Sequence, residues 1–448
     1  MFLRGGRRLM ALALGLFGFI VIVLINDSSR NAAKGYLDQY LDKEKKPPQP
    51  IYLPEPDWVP PPVEDPFPEL STSDPPPIPA WNVPKKDLHK EYGIDYAPPL
   101  FIGFTRTWPL LLQAVVSYIT AGWPAEQIYV VENTGVQWAN KRGKLTLQNP
   151  FYLNYAQLEK LGVKVIQTPV LMNFAQLQNF YVHQAHENEW PYYFWSHMDV
   201  LALSYEDGME NLTPKAGEQG YKTLYELCLA KLNTTVNSDE RWADKFFAYD
   251  HLTLVNRQAY DEIGGWDTFI PYYMTDCDMH SRLLMDNWTQ QDAKAGIITD
   301  VNTALKNLKA LYRDKSIEPD FTDPNPPAPP PNSGEGNNKD KRDVEENHDD
   351  VAHNEDELVY WRKLRDKADH MFHYKHGDRG RNTWQVGQRG GEKEPYYYPS
   401  RGIAESIDVL TEAGREVFRR KWGHRDCDLV TGAGLQVKDQ WRVAPDWN

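Results

Sequence analysis

The pattern of apolar and polar residues becomes regular at about residue 100, where short apolar runs begin to alternate with segments at helical spacing. Strands are predicted at 101–104, 128–131 and 163–166, with a fourth from Tyr192, and helices at 109–121, 155–161 and 173–187. A strand, a helix and a second strand at this spacing form a βαβ unit with parallel strands. The pattern therefore predicts an α/β fold with a mostly parallel sheet flanked by helices.

The fourth predicted strand ends in the polar sequence His197-Met198-Asp199. Extended backbone places His197 and Asp199 on the same side of the chain. Ligands collect at the carboxyl edge of open parallel sheets, and imidazole and carboxylate groups bind divalent metals. The pair is thus a candidate metal site. The alternative is a strand-end turn in which Asp199 accepts hydrogen bonds from backbone amides.

Further along the chain, two segments carry candidate chemistry. After a predicted helical excursion (203–232) and strands at 246–249 and 252–255, Gly264-Gly265-Trp266 precedes a helix that opens with Asp276 and Asp278. Either aspartate has a second interpretation as a helix cap. A later helix is predicted at 358–372, and His370, His373 and His376 lie at its end, with a spacing that places them roughly on one helical face. One of them can serve as a metal ligand, or all three can lie in solvent. An amphipathic helix is also predicted at 407–422.

The first 99 residues differ from the rest. Arg4, Arg7 and Arg8 precede an apolar run at 9–25. This run suits a cleaved signal peptide or an uncleaved membrane anchor, and the lack of a small-x-small site after it favours the anchor. Residues 1–8 are then a cytosolic tail, and the Pro-rich segment 26–99 is a lumenal stem with a short helix at 32–46. A disordered tail predicts the same composition.

Composition and charge limit the function. The net charge of −14 argues against a nucleic-acid partner, which requires a basic face. Three cysteines, Cys228, Cys277 and Cys427, allow at most one intramolecular disulfide. Residues 317–357 are rich in Pro, Asn and Asp, and we predict a disordered insertion between 100–316 and 358–448. Glycosylation sequons at Asn211, Asn233 and Asn287 favour a lumenal location.

The order of these segments resembles the inverting nucleotide-sugar glycosyltransferases of the GT-A fold, especially the family-2-like group. The resemblance covers about residues 100–286. It rests on five segments in the family's order: Phe104-Thr105-Arg106, Val131 to Gly135, Asn173 to Asn179, His197-Met198-Asp199, and Gly264-Gly265-Trp266 followed by Thr275-Asp276-Cys277-Asp278. Three positions depart from the family pattern. His197 replaces the first aspartate of Asp-x-Asp, Asn173 replaces a glycine, and Thr275 replaces a glutamate.

The resemblance implies a role for each matching residue. Asp199 would bind Mn²⁺ or Mg²⁺, with His197 and one C-terminal histidine, of which we choose His373, completing the metal site. Asp276 would be the base that deprotonates the acceptor, and Asp278 would orient the loop or helix. The nucleotide sugar would contact Thr105, Arg106, Glu132, Asn179 and Trp266.

The predicted function is therefore metal-dependent sugar transfer from a nucleotide-sugar donor to a glycan or glycoconjugate. The protein would be a single-pass type II protein of the Golgi or ER membrane with a lumenal catalytic domain. An alternative of another class is a catalytically silent, membrane-anchored protein that binds nucleotide sugars or glycans on the same fold. A metal-dependent hydrolase is a third possibility.

Overall fold

The structure is a computed structural model that describes residues 3–41, 49–54, 61–322, 352–377, 390–396 and 399–447. Contacts divide the chain into two compact units, Met1–Val59 and Pro60–Asn448. All the candidate site residues belong to the second unit.

The first unit contains two helices, α1 (Leu3–Ile25) and α2 (Asp27–Leu41). Helix α1 covers the predicted anchor, 9–25, and α2 begins earlier than the predicted helix at 32–46. Within the described residues, no single helix is both long and apolar enough to cross a membrane. Residues 12–22 and 27–38 meet the criteria of length and composition only as a pair, with a bend of 98° between them. Membrane anchoring thus stays a prediction from the sequence.

The second unit is built on a seven-stranded sheet with the order β3-β2-β1-β4-β7-β6-β8. Its strands are β1 (Leu100–Phe104), β2 (Ile128–Glu132), β3 (Lys164–Gln167), β4 (Tyr192–Ser196), β6 (Trp242–Phe247), β7 (Leu252–Asn256) and β8 (Thr289–Ala293). Every neighbouring pair is parallel except the two pairs that β7 makes with β4 and β6. The predicted α/β class and mostly parallel sheet are confirmed.

Helices cover this sheet because its central strands are apolar on both sides. They are α3 (Leu88–Glu91), α4 (Trp108–Thr120), α5 (Gln137–Lys141), α6 (Tyr155–Lys160), α7 (Phe174–Glu187), α8 (Leu224–Val236), α9 (Arg257–Ile263), α10 (Thr275–Met285), α11 (Ala352–His376) and α12 (Ser400–Trp422). Successive residues of β1 belong to different cores: Ile102 packs in the cluster that contains Leu111 of α4, and Phe101 stacks on Tyr181 of α7. This alternation is the signature of a strand buried on both faces.

A second, two-stranded antiparallel sheet joins β5 (Val200–Leu203) and β9 (Ile297–Asp300). It lies directly after the polar end of β4 in the chain. Strand β5 ends where the helical excursion predicted at 203–232 begins, and in that range only α8 is a long helix. The pairing matters for the site because it fixes the distant residue Asp300 beside the β4–β5 turn.

The predicted stem does not extend to residue 99. Phe67, Leu70 and Leu88 are at most 3% exposed and join the main core of the second unit. The side-chain amide of Asn82 donates to Thr120 O and to Glu206 Oε1, both at 2.8 Å. The apolar residues of this segment are too sparse to form a core of their own, and they pack into the core of the sheet domain instead. The segment 61–99 therefore belongs to that domain.

The predicted disordered insertion lies mostly at 323–351, outside the described residues. Its described flanks are ordered: the Tyr360 hydroxyl donates to Ile317 O at 2.7 Å, and α11 begins at Ala352. Helix α12 begins seven residues before the predicted start at 407. Both C-terminal helices pack on the domain, as shown by buried Leu364, Phe418 and others of their side chains.

Candidate functional site

The site begins where β4 ends. The five residues of β4 are apolar or aromatic apart from Ser196, whose hydroxyl donates to His251 O at 2.7 Å and so ties the end of β4 to the start of β7. The chain then turns through His197 and Asp199 into β5. This turn lies at the carboxyl edge of the parallel strands, as the sequence predicts.

Asp199 and Asp300 are brought together by the small sheet. Val200 is paired with Asp300 across β5 and β9, and Val301 N donates to Asp199 O at 2.7 Å. The two side chains are only 15% and 10% exposed. Two carboxylates so close together and so poorly solvated require a compensating cation.

Helix α11 supplies that cation from its last turn. Lys375 Nζ lies 2.7 Å from Asp199 Oδ2 and 3.0 Å from Asp300 Oδ2. His376 Nε2 lies 2.8 Å from the other oxygen, Asp300 Oδ1. Burial acts to raise the pKa of Asp300, but Lys375 and the histidines outweigh it and lower that pKa to about 2.

His197 lies beside this cluster and faces a different carboxylate. Its Nε2 is 3.4 Å from Asp250 Oδ2, and its ring stacks on Phe174 at an interplanar angle of 8°. Burial opposes the charged imidazolium, yet the interactions with Asp250 and Asp199 raise the pKa of His197 above its usual value. The positions of Asp250 and Asp199 therefore favour the protonated form of His197.

The predicted base, Asp276, lies in the first turn of α10. The residue before the helix, Met274, has a φ of 69°, a left-handed conformation that is costly for a side chain of this size. Asp276 Oδ2 accepts a hydrogen bond of 3.2 Å from the Tyr249 hydroxyl, and the side chain is half-buried. Its carboxylate therefore remains open to solvent while one contact fixes its position.

Asp278 is fully buried and occupied by other side chains. It accepts hydrogen bonds from Arg282 Nε at 2.8 Å and Trp422 Nε1 at 2.9 Å, and Lys421 Nζ lies 2.7 Å away. The adjacent residue Cys277 forms a disulfide with Cys427, and the third cysteine, Cys228, is buried and free. Asp278 thus joins α10 to the C-terminal helix.

The residue predicted to hold the nucleoside, Glu132, is also fully buried. One of its oxygens accepts from Thr134 and Asn140, and the other accepts from Gln167 and Tyr155. Four donors use the acceptor capacity of a carboxylate. Glu132 therefore connects β2 and β3 to α5 and α6, and its carboxylate is not exposed to a ligand.

Asn179 and Trp266 hold each other. Asn179 Nδ2 donates to Trp266 O at 2.9 Å, and Trp266 N donates to Asn179 Oδ1 at 2.8 Å. Gly265 fits between them because its φ is 71° and a Cβ there would lie 2.6 Å from Asn179 Oδ1. The Trp266 ring is 4% exposed and packs edge-on against Phe174, so it offers no open face to a sugar.

The remaining predicted residues lie at different distances from solvent. Thr105 and Arg106 follow β1 at the same edge of the sheet and are half-buried, and burial lowers the pKa of Arg106 to about 10. His373 points away from the cluster, since its side chain is 69% exposed and its Nε2 faces Asp369 at 3.4 Å. Helix α11 therefore reaches the site with Lys375 and His376 in place of His373.

The side chains present do not fit the divalent metal that the resemblance implies. Mg²⁺ binds oxygen ligands at about 2.0–2.1 Å. An ion bridging Asp199 and Asp300 would have to share its position with the Lys375 ammonium. Across the described parts of the chain, no three His, Cys, Asp or Glu side chains are grouped so that they can hold a metal ion.

Several residues of the site were missed by the sequence reasoning. Asp300 had a detectable signal, because the apolar residues Ile297 and Ile298 lead to it as the β4 strand leads to Asp199. His376 was one of the three histidines considered. Lys375 and Asp250 had no signal of their own, since one charged residue in a polar helix or loop is unremarkable before its partners are known.

Comparisons with known proteins add little to this geometry. No protein-family model matches the chain, and no curated protein sequence matches it significantly. A structural similarity exists to a cytidylyltransferase from Leptospira borgpetersenii serovar Hardjo-bovis (strain JB197), at 9% sequence identity. It covers 44% of this chain and 75% of that chain with a TM-score of 0.26. A TM-score this low carries no argument about function.

Proposed function

We propose that this protein is a glycosyltransferase that moves a sugar from a nucleotide-sugar donor to a hydroxyl group of a glycan or glycoconjugate, with inversion. One observation carries the proposal: the short 3-10 helix Tyr249–His251 contacts both halves of the site. Its tyrosine donates to Asp276, Asp250 faces His197, and His251 lies 3.8 Å from Asp300. One turn thereby contacts both a candidate base and a charged cluster.

The chemistry requires two separated groups of this kind. In the transfer step, the acceptor oxygen attacks the anomeric carbon and forms the new glycosidic bond while Asp276 takes the hydroxyl proton. The bond from the anomeric carbon to the donor phosphate breaks on the opposite side, and its electron pair leaves on the nucleoside diphosphate. The charged cluster at Asp199, Asp300 and Lys375 is the part of the site that would face this leaving group.

A cleft that Tyr249 helps to line offers a place for the acceptor. It has a volume of about 410 Å³ and is lined by Tyr249, by Tyr205 and Phe247, and by the segment from Asp292 to Gly296. Its mixture of aromatic and polar side chains is suited to a sugar, which has apolar faces and many hydroxyl groups. Tyr249 connects the cleft to the base because its hydroxyl donates to Asp276.

The proposed location is the lumen of the secretory pathway, with residues 9–25 as the anchor. The disulfide between Cys277 and Cys427 supports it, because such bonds persist in oxidising compartments and are rare in the cytosol.

A silent binding protein is the second candidate, and Glu132 is the observation that favours it. At the position where the resemblance places the nucleoside contact, this carboxylate is fully buried and uses its acceptor sites within the protein. Such a protein would bind a nucleotide sugar or a glycan without turning it over.

Substituting the candidate base tests the proposal. In purified full-length protein offered a panel of nucleotide sugars and glycan acceptors, we expect Asp276→Asn to lower turnover by about 10²–10⁴-fold, the usual contribution of a general base. Donor binding should stay unchanged. Asp286→Asn is the matched control, since Asp286 caps the other end of α10 and is exposed.

Each outcome has a distinct meaning. Full transfer by Asp276→Asn would remove Asp276 from the role of base. Donor binding without transfer in the wild type would favour the silent binding protein. A wild type that neither binds nor transfers any sugar would contradict both candidates.

A further inference from the structure

The cation between Asp199 and Asp300 is a side chain of the protein, the ammonium group of Lys375. We propose that the Lys375 ammonium, in place of a divalent metal ion, is the cation that faces the donor diphosphate; this inference rests on the proposed function. The same two carboxylates then orient the lysine instead of coordinating a metal.

Geometry is the first support. Lys375 is 4% exposed and lies within 3.0 Å of both carboxylates. An ammonium group has three N–H donors, and these two contacts use two of them. The third is the donor that would meet a phosphate oxygen. With His376 on the remaining oxygen of Asp300, the donor set of a metal site is already engaged by protein groups.

Charge complementarity is the second support. Two poorly solvated carboxylates lie within 3.0 Å of the Lys375 amino group, and such a pair requires a cation between them. A metal ion that entered between these carboxylates would have to displace a fixed positive charge less than 3.1 Å from both of them.

The residue that replaces the first aspartate of the family's Asp-x-Asp fits this arrangement. His197 lies at the end of β4, is 30% exposed and faces Asp250. An imidazole at this position adds no negative charge beside the donor diphosphate, whereas the family's carboxylate would add one.

Mn²⁺ binding to the full-length protein tests the proposal directly, by electron paramagnetic resonance or calorimetry. We expect no Mn²⁺ site in the wild type that depends on Asp199. Lys375→Ala should gain a Mn²⁺ site that depends on Asp199, because two adjacent carboxylates remain and hard cations prefer oxygen ligands. Lys363→Ala is the matched control, since Lys363 lies on the same helix, 53% exposed and paired with Glu318.

Activity provides an independent measurement. Transfer by the wild type should be unaffected by EDTA. The proposal is overturned if the wild type binds one Mn²⁺ that Asp199→Asn abolishes, or if EDTA stops transfer and Mn²⁺ restores it. A folded Lys375→Ala variant that gains no Mn²⁺ affinity would also overturn it.

The Mn²⁺ titrations test the proposal even if the Lys375→Ala variant does not fold or no donor is transferred. If Lys375→Ala does not fold, because its removal leaves two buried carboxylates without a cation, the wild-type titration still decides the proposal. If no donor is transferred at all, the proposed function fails on its own. The Mn²⁺ titrations then still show whether Lys375 holds the cation position.

Discussion

Asp244 lies in β6, and its carboxyl group forms no ion pair with a basic side chain of the described residues. It is fully buried, and its Oδ1 accepts a hydrogen bond of 2.8 Å from the Tyr260 hydroxyl. Burial raises the pKa of Asp244 from 3.8 to about 7. The native state thus holds this proton at pH values where the unfolded chain releases it.

The consequence is a stability that falls as pH rises. Because the native state binds one more proton than the unfolded state between about pH 4 and pH 7, the unfolding free energy should fall by up to ~1.4 kcal/mol per pH unit over that window. In Asp244→Asn the contribution of this group should be absent, so the unfolding free energy of the wild type should fall relative to that of the variant as pH rises through this window. Urea unfolding at several pH values measures it. Asp286→Asn removes an exposed carboxylate as the control, and equal slopes in Asp244→Asn and wild type would contradict the assignment.

Single residues also mark the limit of the sequence reasoning. Asp199 could be predicted as a candidate because it follows a buried strand, and Asp276 because it matches the family motif. Lys375 gained its meaning only from Asp199 and Asp300, and the chain pattern does not encode which distant residues meet. Glu132 shows the converse, since its position matched a family motif but its four donors came from side chains that no motif predicts.

At the scale of elements, helix α10 is linked to the C-terminal segment that contains Lys421, Trp422 and Cys427. The Cys277–Cys427 disulfide closes a loop of 150 residues, and Asp278 adds contacts to Trp422 and Lys421. Asp276 lies in the first turn of α10. The stability of these contacts therefore determines how firmly the candidate base is held.

Breaking the disulfide should weaken this link. We expect Cys427→Ser to lower the unfolding free energy by about 2–5 kcal/mol, the usual range for a native disulfide. Denaturant unfolding of the variant and of the wild type with and without reductant measures the loss. Reductant should bring the wild type to the level of the variant and leave the variant unchanged. A wild type that is indifferent to reductant would mean that the bond adds no stability.

Element prediction succeeded where the chain signals locally. Strands β1 to β4 and the helices α4, α6 and α7 between them were predicted within a residue or two, because apolar runs and helix-ending residues such as Gly162 are short-range signals. The five-residue helix α5 was not predicted. Strand β8, with the sequence Thr-Gln-Gln-Asp-Ala, was missed because it is a polar edge strand that pairs only with β6 in the seven-stranded sheet.

At the scale of the whole molecule, the Pro-rich segment was the largest misinterpretation. Its composition is that of a stem, and by itself it cannot form a core. The structure uses residues 61–99 as a strap, in which Phe67, Leu70 and Leu88 complete the core of the sheet domain. Composition reports what a segment can do alone and says little about the surface to which it binds.

Two truncations distinguish a strap from a stem. A chain that begins at Pro60 should keep the thermal stability of the second unit. A chain that begins at Leu100 should lose it, because exposing each buried side chain such as Phe67 or Leu70 costs roughly 1.5–3 kcal/mol. Melting temperature and soluble yield are the measurements. Equal stability of the two chains would mean that residues 61–99 are a spacer that adds nothing to the fold.

The small sheet of β5 and β9 has a consequence for the newly made chain. Strands β1 to β4 can pair early in synthesis, and β9 later brings Asp300 to Asp199. Lys375 emerges roughly 4–15 s after Asp300, at ~5–20 residues per second. During that interval the two carboxylates have no partner from α11. The ribosome therefore synthesises the strands of the sheet before Lys375, the residue that neutralises Asp199 and Asp300. The sheet can form during translation before the charged cluster is complete.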